Sequence, residues 1–190
     1  MIDNVLSGKK TSVKLTVKSV ISLGVVALAA LLPQLVHLAA GPAGGMTWLP
    51  MYLPVLLGGC LLGWRWGLGV GILSPLASFA VTSAMGSAMP AAARLPYMIA
   101  ELAVFAAVSG LFSRKIAENG WMAFPAVLLA QVSGRLFFLA LAAAFQGVSS
   151  LSAAVVWSQI QAGLLGLVLQ AVVVPFLVMG LRALMNRDRK

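Results

Sequence analysis

The sequence predicts an all-α fold, a polytopic membrane protein of six transmembrane helices with both termini cytoplasmic. Three observations predict it. Of 190 residues, 61% are apolar and only 9% are charged, with a mean hydropathy of +1.02. A soluble domain is about 45–50% apolar and about 25% charged. Charge that scarce does not cover a water-soluble surface, which excludes a soluble enzyme, a disordered chain and a disulfide scaffold. The apolar residues also form continuous runs, approaching the ~20 residues that cross hydrocarbon and unlike the ~10-residue alternation of a β-barrel. Finally, the basic residues gather where every second run ends.

A basic segment, residues 1–18, comes first and carries Lys9, Lys10, Lys14 and Lys18. The first span covers 19–40. Its basic lead and Ala39-Ala40-Gly41 imitate a secretory signal, but the run is longer than a signal's apolar core, so an uncleaved span is expected. The second span, 49–62, is short, and the third covers 67–84. Trp64-Arg65-Trp66 is expected to turn the chain between them. The fourth span covers 96–112 and is followed by Arg114 and Lys115. The fifth covers 121–145 and the sixth 153–184, ending in Arg182, Arg187, Arg189 and Lys190, with 185–190 as a basic tail. Lys and Arg concentrate in cytoplasmic loops, so the even-numbered crossings return to the cytoplasm. The opposite connections, 41–47, 85–95 and 146–152, hold one charge, Arg94. The net charge of +9 therefore reads as topology, not as nucleic-acid binding. Residues 1–190 make one membrane domain, expected in the bacterial cytoplasmic membrane and embedded in the lipid bilayer.

Ionisable side chains inside a span are costly and default to a functional role. Glu101 falls one to two turns below the external end of span four. Arg135 lies about ten residues below the external end of span five, and Gln131 is one helical turn deeper. Gln159 and Gln161 fall near the outer end of span six, and Gln170 deeper. Polar groups from three helices, mostly in the outer half of the bilayer, fit a solute cavity of a few placed polar groups in apolar walls. Expected substrate-binding residues are Glu101, Arg135, Gln159, Gln161, Arg94 and Gln131. A Glu101–Arg135 ion pair that only locks two spans together is the competing reading. If the two pair, neither an anion nor a cation preference survives. His37 reads as a polar residue near the interface. Met85, Met89 and Met98, with Tyr97, cluster at the external loop and suit a lid or a loop dipping into lipid.

Pro50, Pro54 and Pro75 kink the second and third spans, with Ser74, Ser78, Thr82 and Ser83 nearby. Gly59, Gly63, Gly67 and Gly71 recur at four-residue spacing, which allows close helix approach, within the chain or against a partner. No catalytic motif is present: no H-E-x-x-H, no G-x-S-x-G and no paired aspartates. His37 is the only histidine and Cys60 the only cysteine, which leaves no metal spacing. No G-x-x-x-x-G-K-[ST] occurs, so ATP-driven uptake requires another chain.

The stretch from Tyr52 to Lys115 carries a resemblance. It reads Leu53-Pro54-Val55-Leu56-Leu57-Gly58-Gly59, then Leu62-Gly63 before the basic turn, then Gly67 and Gly71-Ile72-Leu73-Ser74-Pro75. Ala88-Met89-Pro90 follows in the external loop, then Ala100-Glu101-Leu102-Ala103 and Ser109-Gly110-Leu111. It resembles the substrate-binding subunits (S components) of energy-coupling factor (ECF) vitamin transporters, most of all the branch with pantothenate and cobalamin carriers. The resemblance implies high-affinity capture of a small vitamin-like molecule at the external face. It also implies docking on a membrane coupling subunit carrying two cytoplasmic ATPases, with ATP used by those partners and no cofactor in this chain. Glu101 matches the span-four glutamate of that branch. Many members meet the coupling subunit through an Ala-x-x-x-Ala pattern in span one. Here the region offers Ser22, Val26 and Ala30, which leaves Gly24, Ala27 and Ala30 as docking residues. Two other functions stay open. A membrane scaffold or assembly protein would bind no ligand. A self-contained secondary transporter would work without ATPases, although no two-fold repeat of three spans is evident.

Overall fold

The structure, a computed structural model, describes residues 2, 11–86, 89–145 and 152–187. Among these, six helical segments are long and apolar enough to cross a membrane: Leu15–Gly41, Gly44–Leu62, Trp64–Ala84, Ala92–Leu111, Gly120–Ala144 and Leu164–Met185. α1 covers Thr11–Trp48, α2 Tyr52–Leu62, α3 Trp64–Ala84 and α4 Leu95–Leu111. The short α5 covers Ser113–Glu118, α6 Ala123–Ala144, α7 Ala153–Ala162 and α8 Leu164–Arg187. Six of these α-helices carry the spans, and the two short ones, α5 and α7, lie outside them. α1 is two helices joined across Gly41, whose φ of 67° and ψ of −172° are open to glycine and strained for any other residue.

α4 is the central strut and packs against α2, α3 and α6, while α8 closes the bundle against α6 and α2. The second span is the most enclosed, 61% of it buried, and the first the least, 11%. Val55, Leu56, Leu102, Phe105, Ala106 and Val127 fill the core. In lipid the hydrophobic effect does not drive helices together, so small residues that let backbones touch do much of the holding. Gly59, Gly67 and Gly71 all turn toward α4. A Cβ on Gly67 would sit 2.9 Å from Gly59 Cα and 3.0 Å from the Ala106 carbonyl oxygen, and one on Gly59 would collide with Ser109 Oγ. The repeated glycines thus join α2 and α3 to α4 within this chain.

Three boundaries differ from the sequence expectation. The second span starts earlier, at Gly44, because helix resumes straight after the Gly41 kink. Trp64-Arg65-Trp66 is not a turn but the first turn of α3. Gly63 alone reverses the chain, with φ 87° and ψ 170°, a conformation that needs no further loop residues. The region expected as one sixth span, 153–184, breaks at Gly163 into α7 and α8. Glycine is a weak helix former, and this one is pressed against the Leu49 side chain, only 2.8 Å from where a Cβ would stand. Gln159 and Gln161 therefore ride on a separate short helix. Of the expected connection at 146–152, only Ser152 lies within the described residues; it caps α7 by accepting from Val155 N at 3.3 Å.

Candidate functional site

The ionisable residues of the spans converge. Glu101 faces inward about two turns into its span, Arg135 reaches it from α6, and Tyr52 opens α2 at the same depth. Glu101 Oε2 accepts a 2.8 Å hydrogen bond from the Tyr52 hydroxyl. Its Oε1 lies 3.0 Å from Arg135 Nη1 without an aligned donor, so that contact is mainly electrostatic. The Arg135 guanidinium carbon stands 5.1 Å from the Tyr52 ring centre, within cation–π range. Phe105 meets the same ring edge-on at 5.1 Å and seals the inner side. All three polar residues are buried, Glu101 to 1% exposure and Arg135 to 7%.

This cluster forms one wall of a cavity of about 150 Å³, which Arg94, Met98, Phe138 and Gln159 also line. A smaller hollow of about 90 Å³ lies against it, shares Leu49, Tyr52 and Met98, and adds Ser78 and Met89. The hydroxyls of α3 explain how the loop between α3 and α4 reaches the rim. Thr82 Oγ1 accepts from Met89 N at 2.7 Å, and Ser78 Oγ donates to the Met89 carbonyl at 3.0 Å. Thr82 also donates to the Ser78 carbonyl at 2.7 Å. The loop is folded back over the bundle, which brings Pro90 and Arg94 to the cavity.

Within the cavity wall, Arg135 Nε, Arg135 Nη2 and Gln159 Nε2 are buried and have no partner. Buried polar groups are ordinarily hydrogen-bonded, so three donors left open in one small space are a departure from the rule. The guanidinium is held by one end only. Its Nε/Nη2 edge is the one that grips a carboxylate or phosphate with two parallel bonds. In this geometry Glu101 engages the Nη1 end and the Nε/Nη2 edge is left without a hydrogen-bond partner.

The expected site residues divide. Glu101, Arg135, Gln159 and Arg94 line one cavity. Gln131 is not brought to it: its amide donates to the Leu167 carbonyl at 3.1 Å and joins α6 to α8. Gln161 is exposed on the other side of α7. Gln170 binds the Trp48 and Leu49 carbonyls at 3.0 and 2.9 Å, tying α8 to the end of α1. Gly24 and Ala27 are exposed on α1 and Ala30 is half-buried. His37 is half-buried and is not part of the cavity lining. Of the methionines, Met98 lines both hollows, Met89 only the smaller, and Met85 is exposed. Tyr97 packs on Phe138, ring centres 6.2 Å apart. Tyr52 was not foreseen as a site residue. Its signal in the sequence is a hydroxyl on one of two tyrosines, near the end of a span at the depth of Glu101.

The family model described as "ECF transporter, substrate-specific component" matches residues 17–178. The chain belongs to that family. No curated protein and no solved structure matched it. As an ECF substrate-specific component it is a multi-pass membrane protein that recognises a substrate for transport, and its family is one of transport components, not of enzymes. Such components work with membrane-embedded coupling and ATPase subunits.

The Tyr52–Glu101 bond gives a first expectation. Tyr52→Phe deletes a buried hydrogen bond to a carboxylate, worth about 1.5–3 kcal/mol. Thermal unfolding in detergent should show a lower Tm for this variant than for Tyr97→Phe. Equal values would mean that Glu101 finds another donor.

Proposed function

We propose that this ECF component captures a compact, carboxylate-bearing, vitamin-like micronutrient at the external face. The observation that carries the reading is the open Nε/Nη2 edge of Arg135 in the cavity, with Gln159 Nε2 beside it. Tyr52 fixes Glu101, Glu101 fixes one end of the guanidinium, and the other edge stays aimed at the ligand. A carboxylate there satisfies two donors at once, and an oxygen reaching Gln159 satisfies the third. Buried donors are costly to leave unpaired, so a ligand that pairs with them gains those bonds on binding. Arg94, exposed on the rim, attracts the same charge. The hollows of about 150 and 90 Å³ suit a small ligand with an apolar portion against Met98 and Leu49.

Orientation is read from the basic residues at one end of the bundle: with that end cytoplasmic, both termini lie in the cytoplasm and this cavity opens outside. In this reading ATP is used by two ATPases that act through the coupling subunit, and a sequence without G-x-x-x-x-G-K-[ST] agrees with it. The exposed face of α1 around Gly24 and Ala27, with Ala30, is the docking surface this reading assigns.

The test is native mass spectrometry of the gently purified protein, with released molecules identified by mass. A one-to-one adduct carrying a carboxylate is expected. Gln159→Ala should weaken its binding about tenfold, the effect of one hydrogen bond, and Gln161→Ala should leave it unchanged. A bare protein that also ignores a panel of carboxylate vitamins would overturn the reading.

A further inference from the structure

A second, larger cavity lies at the opposite end of the bundle from Glu101. It has a volume of about 420 Å³ and is lined by Lys18, Trp64, Arg65, Trp66, Ser113 and Arg114, with the Leu62–Gly63 turn between them. Three cationic side chains from three different elements converge on it: the start of the first span, the start of α3 and the beginning of α5. No acidic residue lines it among the described residues. Its depth is set by the spans. Lys18 lies just inside the first, Trp64 begins the third, and Arg114 follows the last residue of the fourth, Leu111. All lie at or within a few residues of the ends of these spans, the level at which hydrocarbon gives way to headgroups across a bilayer. Arg65 stacks over the Trp64 ring at 5.3 Å, and Trp64 is 47% exposed, as suits an indole at the headgroup level. Arg182, by contrast, is not part of this lining and is used elsewhere. Its Nε and Nη2 bind the Ala117 and Glu118 carbonyls at 3.1 and 2.7 Å, where it closes the end of α5.

We infer that this cavity holds the phosphate of an anionic phospholipid headgroup from the leaflet at the basic end. The shape of the site separates it from general surface attraction. A basic surface draws anionic lipid without choosing a place, whereas a half-open pocket lined by cations and tryptophans retains one headgroup. The cavity opens at the membrane boundary, so the phosphate arrives attached to a lipid and need not come from solution. The lipid would pin the α2–α3 turn and the α5 end of the subunit to the membrane, and the substrate cavity at the far end is separate from it. The inference rests on the membrane depth of the residues and not on the identity of the substrate.

The experiment is native mass spectrometry of the full chain released from detergent containing phosphatidylglycerol or phosphatidylcholine. It compares the wild type with Arg65→Gln/Arg114→Gln and with Arg65→Lys/Arg114→Lys. The wild type should retain one phosphatidylglycerol in preference to phosphatidylcholine. The glutamine pair should lose about thirtyfold in that retention, the effect of two cations beside an anionic lipid, and the lysine pair should keep most of it. Ligand binding at the Glu101 cavity should stay at the wild-type value in both, which shows each variant folded and separates this inference from the substrate reading. Equal retention of the two lipids, or retention indifferent to the glutamine pair, would overturn it. Displacement of the lipid by millimolar inorganic phosphate would reassign the cavity to a soluble phosphate. Unchanged lipid retention with lost assembly onto the coupling subunit would reassign it to a protein partner.

Discussion

Arg135→Ala should abolish useful capture of the ligand, with affinity falling about a hundredfold or more. Removing one partner of a buried, hydrogen-bonded charge pair costs about 2–5 kcal/mol in binding, and here the lost group also carries the open fork. The same change leaves Glu101 buried with its charge uncompensated, which typically destabilises a fold by about 3–5 kcal/mol. Affinity alone therefore does not distinguish a ligand residue from a tie between α4 and α6. The double variant Glu101→Gln/Arg135→Met does. It removes both charges and keeps the volume, and replacing a buried ion pair by apolar or neutral groups is often neutral for stability. We expect its Tm to recover toward the wild type while binding stays lost. A double variant that binds like the wild type would reduce the pair to a structural tie. Arg135→Lys keeps the charge without the two parallel donors, so it should bind far more weakly than the wild type. Arg114→Ala, at the other end of the bundle, should leave ligand affinity unchanged. Titration calorimetry with the identified ligand, alongside thermal unfolding, measures all four.

The sequence carried the spans and the ionisable pair for the same physical reason. Lipid tolerates neither unpaired backbone nor unpaired charge, so long apolar runs and the rare Glu101 and Arg135 inside them stand out against everything else. Residues cheap to place in a membrane gave no such signal. Tyr52 near a span end looks like any interfacial tyrosine, and only its bond to Glu101 distinguishes it. The three glutamines are alike in one dimension and separate in three. Gln159 and Gln161 lie two positions apart, which on a helix points them to nearly opposite sides. One enters the cavity and the other is exposed. Gln131 shares the Arg135 face but lies a turn deeper, where the Leu167 carbonyl takes its amide. The Gly163 break was hidden because a hydropathy window averages over a single glycine. It matters because it lets α7 bring Gln159 to the cavity independently of the long α8.

Gly71→Ala should damage the site from a distance, through the backbone that holds Glu101. The added methyl would stand 2.5 Å from the carbonyl oxygen of Leu102 and 3.0 Å from Ala103 Cα, the residues that follow Glu101 on α4. These are main-chain atoms of a central helix with no rotamer to change, so α3 and α4 must separate. Overpacking of a tight core costs about 1–3 kcal/mol, and the upper end applies where backbone, not a flexible side chain, must give. The shift falls on the turn that aims Glu101 at Arg135 across a 3.0 Å contact, so ligand affinity should drop with the Tm. Gly69→Ala is the matched control. Nothing lies within 4 Å of its added methyl, and alanine is the better helix former by about 1 kcal/mol, so its Tm should hold or rise and its affinity should be unchanged. Parallel effects in the two variants would mean that α3 does not rest on α4 through Gly71. A loss confined to Gly71→Ala, present in both stability and binding, would tie the glycine seat between these helices to the geometry of the ligand site.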